Sequence, residues 1–164
     1  MALNKALIAE LTHEAKNTRK ILERVPEEHF GWKPHEKSMS LQKIATHLAE
    51  IPTWVNLTVG QNELNFATWQ RTPTPCNSTK EIVELFDKNL EAAVKCLEEA
   101  TDESLHEKWT MRNGEHVIYE LPKTVAVRNL ALNHTVHHRG QLSVYLRLLD
   151  VAVPGMYGPS ADDK

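Results

Sequence analysis

The chain has 164 residues, 41% hydrophobic and 25% charged, with 6 Gly and 8 Pro. That balance fits one packed domain and excludes a disordered tail, a collagen-like fibre or a low-complexity linker. A formal net charge of -3 provides no broad basic surface, so no nucleic acid partner is expected. No apolar run approaches the roughly 20 residues that span a bilayer, and Glu10, His13 and Glu14 interrupt the start where a signal peptide would be apolar, so the expectation is a cytoplasmic protein with no membrane contact.

From about Asn4 to Arg24, Leu7, Leu11, Ala15, Thr18, Ile21 and Leu22 recur at helical spacing, and Pro26 closes this first helix. A connector, Pro26 to Lys37, leads to Ser40, a predicted N-cap for a second helix from Leu41 to about Val59 whose Ile44, Leu48, Ile51 and Val55 share a face. Pro52 lies inside it and predicts a kink near Leu48. A loop from Gly60 to Asn77, holding Trp69, Pro73 and Pro75, reaches Ser78, which forms a predicted capping box with Glu81. The third helix follows, with Ile82, Phe86, Leu90, Ala93 and Leu97 on one stripe.

Between Thr101 and Pro122 the periodicity changes. Trp109 to Arg112 and Glu115 to Tyr119 flank Asn113-Gly114, which predicts either a short β-hairpin or an irregular loop. A fourth helix runs from about Thr124 to Leu149, and the tail from Val151 carries Pro and Gly. The expected fold is all-α, a four-helix bundle with long crossover loops over residues 1–164, with a small β-hairpin as an option before the last helix. Cys96 lies well inside the third helix and Cys76 just before its start, on the order of 30 Å apart and beyond disulfide reach, and two free thiols fit a reducing compartment.

At about 100° per residue, Val127, Leu130, Ala131, Tyr145, Leu148 and Leu149 define an apolar face of the fourth helix, with His134 and His138 near its middle. Spacing i, i+4 stacks two imidazoles on adjacent turns, a geometry that gives a metal two ligands, although a buried pair bonded to each other or to a carboxylate is the plainer alternative. His137 lies about 80° from the centre of that face and is left out. His47 borders the stripe of Ile44, Leu48 and Ile51 and is the candidate third ligand. His13, His29, His35, His106 and His116 are expected at the surface.

Three stretches carry a resemblance. They are Phe30-Gly31-Trp32-Lys33-Pro34, the run from Ser40 to Glu50 with His47 in it, and Asn133-His134 through His137-His138-Arg139-Gly140-Gln141-Leu142-Ser143 to Arg147, followed by Val153-Pro154 and Tyr157-Gly158-Pro159. In combination and order they resemble the DinB-like, damage-inducible family over nearly the whole chain. The resemblance implies a four-helix bundle, commonly a homodimer, and a divalent metal held by three histidines at His47, His134 and His138. It also implies a low-molecular-weight thiol as one class of small-molecule substrate.

Three neutral imidazoles suit zinc or nickel and leave a position open for water or a substrate atom, so hydrolysis and thiol S-transfer are the two expected chemistries. The alternative is a non-catalytic metal-binding stress-response protein. Glu14, on the buried stripe of the first helix, is expected either to accept a hydrogen bond from a ligating imidazole or to sit at a wet rim. Glu50 is read as a second such acceptor, a base or an exposed residue, and Gln141 and Tyr145 as ligand-reaching or packing groups. Trp54 and Trp69 are either core residues or walls of a cavity beside the metal. Leu132, Val136 and Leu146, off the predicted core stripe, suggest a second apolar strip covered by a partner copy or by the crossover loops.

Overall fold

In the computed structural model, residues 2–70, 72 and 74–163 are described; Pro73 of the long connecting loop lies outside them. The architecture is mostly helical with one small sheet. Helix α1 spans Leu3–Leu22 and ends two residues early, because Arg24 and Val25 donate to Ile21 and Leu22 in tighter i to i−3 bonds ahead of Pro26. The connector then turns back to serve the next helix. Ser40 Oγ accepts from Lys43 N at 3.3 Å, while the carbonyls of Trp32 and Phe30 accept from Leu41 N and Gln42 N, so three first-turn donors of α2 (Leu41–Glu50) are satisfied.

The expected kink is instead a break. Without an N–H on Pro52, the chain leaves α2 at Ile51 and re-enters as α3 (Thr53–Val59) through i to i−3 bonds from Trp54 and Val55. Helix α4 spans Thr79–Glu98. Ser78 Oγ accepts from Glu81 N, but Glu81 reaches back to Asn77 N at 2.6 Å, one residue beyond the reciprocal partner of a capping box.

The region after α4 holds a short helix, α5 (Asp102–His106), and strands β2 (Lys108–Asn113) and β3 (His116–Pro122), which form the antiparallel hairpin. Its two-residue loop is Gly114-Glu115, one position later than the sequence reading, because a turn with Gly at its first central position and φ of 59° fits the pairing of Asn113 with His116. A third strand, β1 (Glu63–Asn65), escaped the sequence reading; it pairs parallel with β2 and gives the order β1-β2-β3.

Helix α6 (Lys123–Val127) passes through a π-helical stretch, Arg128–Asn133, into α7 (His134–Leu148). The π stretch corrects the predicted stripe. Buried Ala126/Val127 and Ala131/Leu132 are five residues apart, after which Thr135, His138/Arg139, Leu142 and Tyr145/Leu146 resume normal helical spacing. Leu146 is therefore 0% exposed and Leu148, predicted inside, 58% exposed. Leu132 and Leu146 belong to the main core and need no cover from a second chain; Val136 does lie at the surface.

That main core draws residues from α1, α2, α4 and α7, while a second cluster of Leu64, Trp109, Met111 and Ala126 lies under the sheet. Arg139 of α7 is 2% exposed and crosses to α1. It donates to Glu14 O at 2.9 Å, to Thr18 Oγ1 at 3.1 Å and to the Glu14 carboxylate, and Tyr157 of the tail accepts from it while donating to Glu14 Oε2 at 2.7 Å. Glu14 thus meets an arginine rather than an imidazole.

Burial pushes the Glu14 carboxyl up, but the hydrogen bonds from Arg139 and Tyr157 and the Arg139 charge outweigh it and hold the group below its usual 4.5. A depressed carboxylate stabilises the fold above its unfolded value and loses that contribution as pH falls through the folded one. Glu14→Ala, which strands the buried guanidinium, should cost about 3 kcal/mol by urea denaturation at pH 7. Glu14→Gln should also be less stable than the wild type at pH 7, with the two midpoints converging in acid.

Candidate metal centre

Each imidazole comes from a helix whose burial pattern aims it. His47 lies on α2 beside Ile44, Ala45, Leu48 and Ala49, which are all buried. His134 begins α7 directly after the π stretch, and His138 follows one turn later on the buried side. The three residues come together: one ligand atom of each lies within 4.8 Å of the others. The His134 and His138 Nε2 atoms are 2.9 Å apart, and those of His47 and His134 3.2 Å. Three nitrogens around a tetrahedral ion at about 2.0–2.1 Å would lie roughly 3.4 Å apart, close to this spacing.

The outer nitrogens fix the tautomers. His138 Nδ1 donates to Gln141 Oε1 at 2.7 Å, and His134 Nδ1 donates to Leu130 O at 3.3 Å. Leu130 is in the π stretch, so the irregular turn delivers the carbonyl that orients the first imidazole of α7. Burial pushes both imidazoles below their usual 6.5; the bond to Leu130 partly opposes this at His134, and that to Gln141 at His138. With Nδ1 engaged outward in each ring, the Nε2 atoms are the ones that face each other. Three ring nitrogens at close to ligand spacing, two of them on rings oriented by outward hydrogen bonds, make a donor set that fits a metal ion.

The other candidates divide. His137 is exposed, as are His13, His29, His35, His106 and His116. Gln141 positions His138, a role readable in principle from its i+3 spacing. Tyr145 packs edge-on against Trp32 at 5.6 Å and donates to Met39 O at 3.3 Å. Glu50 Oε1 accepts from Thr74 N at 3.3 Å.

Two clefts meet at His47, Glu50 and Thr74. One, about 680 Å³, runs between α3 and α4 and is walled by Trp54, Leu57, Phe66, Trp69 and Leu85; the other, about 370 Å³, reaches Met39, Gln42, Lys43 and Cys76. Phe66 and Leu57 were missed because their role depends on β1 and on the break at Pro52.

Comparison with known proteins agrees with this architecture. The DinB family model matches residues 1–164. The chain is similar to two Bacillus subtilis (strain 168) proteins. It is 26% identical over 151 residues to the uncharacterized protein YjoA, covering 90% of this chain and 91% of that one. It is also 26% identical over 157 residues to the uncharacterized protein YrdA, covering 92% and 85%. Its fold is similar to that of a DinB-like protein from Bacillus cereus ATCC 10987, with TM-score 0.73 and 22% identity over 93% of this chain and 97% of that one. The crystal structure of YjoA gives TM-score 0.70 and 23% identity over 92% and 96%.

Gln141 acts on a metal only through His138. Gln141→Leu should therefore weaken zinc affinity about 10-fold, measured by competition with a chromophoric chelator, with the unfolding midpoint little changed.

Proposed function

The chain belongs to the DinB family, and on that footing we propose that it is a divalent-metal-dependent enzyme, with His47, His134 and His138 holding zinc or nickel. It acts on a small molecule, by thiol S-transfer or by hydrolysis. The observation that carries this reading is the gathering of three imidazoles from two helices, with the His134 and His138 Nε2 atoms 2.9 Å apart and His47 Nε2 3.2 Å from that of His134. Three neutral imidazoles on one ion leave a coordination position for a thiolate sulfur or a water, the Lewis-acid chemistry that both reactions need.

The protein's own part is positioning. Gln141 and Leu130 O fix the α7 rings, and the clefts give a substrate two approaches past His47. Glu50, in both cleft walls, is the group we assign to hold or move a proton beside the reacting atom.

We read the helical layers as a four-helix bundle with long crossovers, formed by α1, α2–α3, α4 and α6–α7. Two free cysteines support a reducing, cytoplasmic setting, and among the described residues no helix is long and apolar enough to cross a membrane. A homodimer would use the exposed face of α7 where Val136, Val144 and Leu148 recur at spacings of eight and four. Val144→Glu should then halve the mass seen by light scattering.

Metal analysis by mass spectrometry on untagged protein tests the centre. About one zinc or nickel per chain is expected in the wild type and none in His134→Ala; a metal-free wild type or a metal-replete variant would overturn the reading. With cobalt in the site, thiol transfer requires that a low-molecular-weight thiol add a sulfur-to-metal absorption band, and its absence would leave hydrolysis as the reaction.

A further inference from the structure

We propose that the larger cleft beside His47 is a binding site for the planar aromatic body of a small molecule, whose polar head is then presented to the histidine triad. The inference about the head rests on the metal-centre reading above; that about the body stands on the cleft alone. At about 680 Å³ the cleft has the size of sites that enclose a drug-sized ligand. Its apolar wall is mainly aromatic: Trp69 lies 6.2 Å from Trp54 at an interplanar angle of 45° and 5.9 Å from Phe66 at 67°. Tilted rings at these separations offer faces and edges to a flat guest, the geometries in which aromatic pairs attract.

The wall is built into the fold. Phe66 N donates to Arg112 O at 2.8 Å, extending the β1 pairing by one residue, and Trp69 N donates to Asn65 O at 2.8 Å. Asn65 Oδ1 accepts from Ala67 N at 3.0 Å and from Gly114 N at 2.9 Å, tying the loop that carries both rings to the turn of the hairpin. Trp109, fully buried beneath, donates from Nε1 to Leu57 O at 2.9 Å and so fixes the end of α3 that carries Leu57.

On the opposite side, Asn56 Nδ2 donates to Ala92 O at 3.2 Å and Asn89 Nδ2 to Ala49 O at 3.0 Å, which ties α4 to α3 and to α2 and sets the cleft's width. Because the walls are held before any ligand arrives, little ordering entropy is left to oppose binding. Without a guest, the ring faces of the wall stay wet at a cost that an inserted aromatic body removes. In this light the small sheet is the scaffold of the aromatic wall.

The test uses 5-fluoroindole, which carries no strong metal-binding head, followed by fluorine NMR on the full chain. Wild-type protein should broaden and shift its resonance in a saturable way. Trp69→Ala should weaken binding about tenfold and Trp69→Phe much less. Leu85→Trp, which fills the cleft from α4, should abolish binding, and Val144→Ser, on the far face of α7, should leave it unchanged.

His134→Ala separates the two readings. If that variant lacks metal yet still binds 5-fluoroindole, the cleft stands as an aromatic site whatever the fate of the triad. A second arm compares benzyl mercaptan with cyclohexylmethanethiol on zinc-loaded protein; the aromatic thiol should bind at least fivefold tighter, and Trp69→Ala should erase the difference. No saturable binding of 5-fluoroindole, or equal binding by wild type, Trp69→Ala and Leu85→Trp, would overturn the aromatic site; equal affinity for the two thiols would overturn only the presentation of the head to the triad.

Discussion

A single irregular turn, the π stretch Arg128–Asn133, sets which residues of the last long helix face the core and the histidine site. Ahead of it, Ala126 packs with Trp109 and Leu64 under the sheet. Beyond it, Leu142 and Leu146 enter the main core. Within α6 the adjacent Ala126 and Val127 already divide between the two clusters, and the π stretch carries the main-core stripe onward into α7. The added residue rotates the stripe, and within the same turn the Leu130 carbonyl receives the Nδ1 proton of His134. Backbone irregularity of this kind is common where a helix carries chemistry, because it frees a carbonyl and re-aims the side chains that follow.

The sequence carried the helices and the histidines, but not the irregular joints. Ser40, Ser78 and Pro26 mark helix ends through local chemistry and appear where expected, and the His47, His134 and His138 set is drawn together. The 3.6-residue period assumes one hydrogen-bond pattern, so it placed Leu148 inside and Leu146 outside, the reverse of what the π turn produces. Pro52 announced a disturbance, yet whether a proline kinks or breaks a helix depends on what packs on either side. Strand β1 has three residues and no readable alternation, and its pairing with β2 is a long-range choice. Glu14 was legible as a buried acid needing a partner, but Arg139 sits far along the chain on a face whose burial only the π turn reveals.

The histidine triad and the aromatic cleft depend on different supports. The triad is held by α2 and α7 with Gln141 and Leu130, while the cleft is held by α3, α4 and the sheet. They touch at His47. A division of this sort lets recognition change through wall residues while Gln141 and Leu130 keep the geometry at the α7 nitrogens.

The cluster of Arg139, Glu14 and Tyr157 also constrains how the sequence can drift. Guanidinium, carboxylate and phenol lie on three separate segments, and each satisfies a polar group the others would leave stranded in the interior. Loss of either charge alone passes through an intermediate with an unpaired buried ion, whereas replacing both with apolar side chains of similar volume avoids it. Positions 14 and 139 are therefore expected to exchange as a couple across relatives, with residue 157 following. The C-terminal tail, exposed as it is, inherits the mutational rigidity of the core.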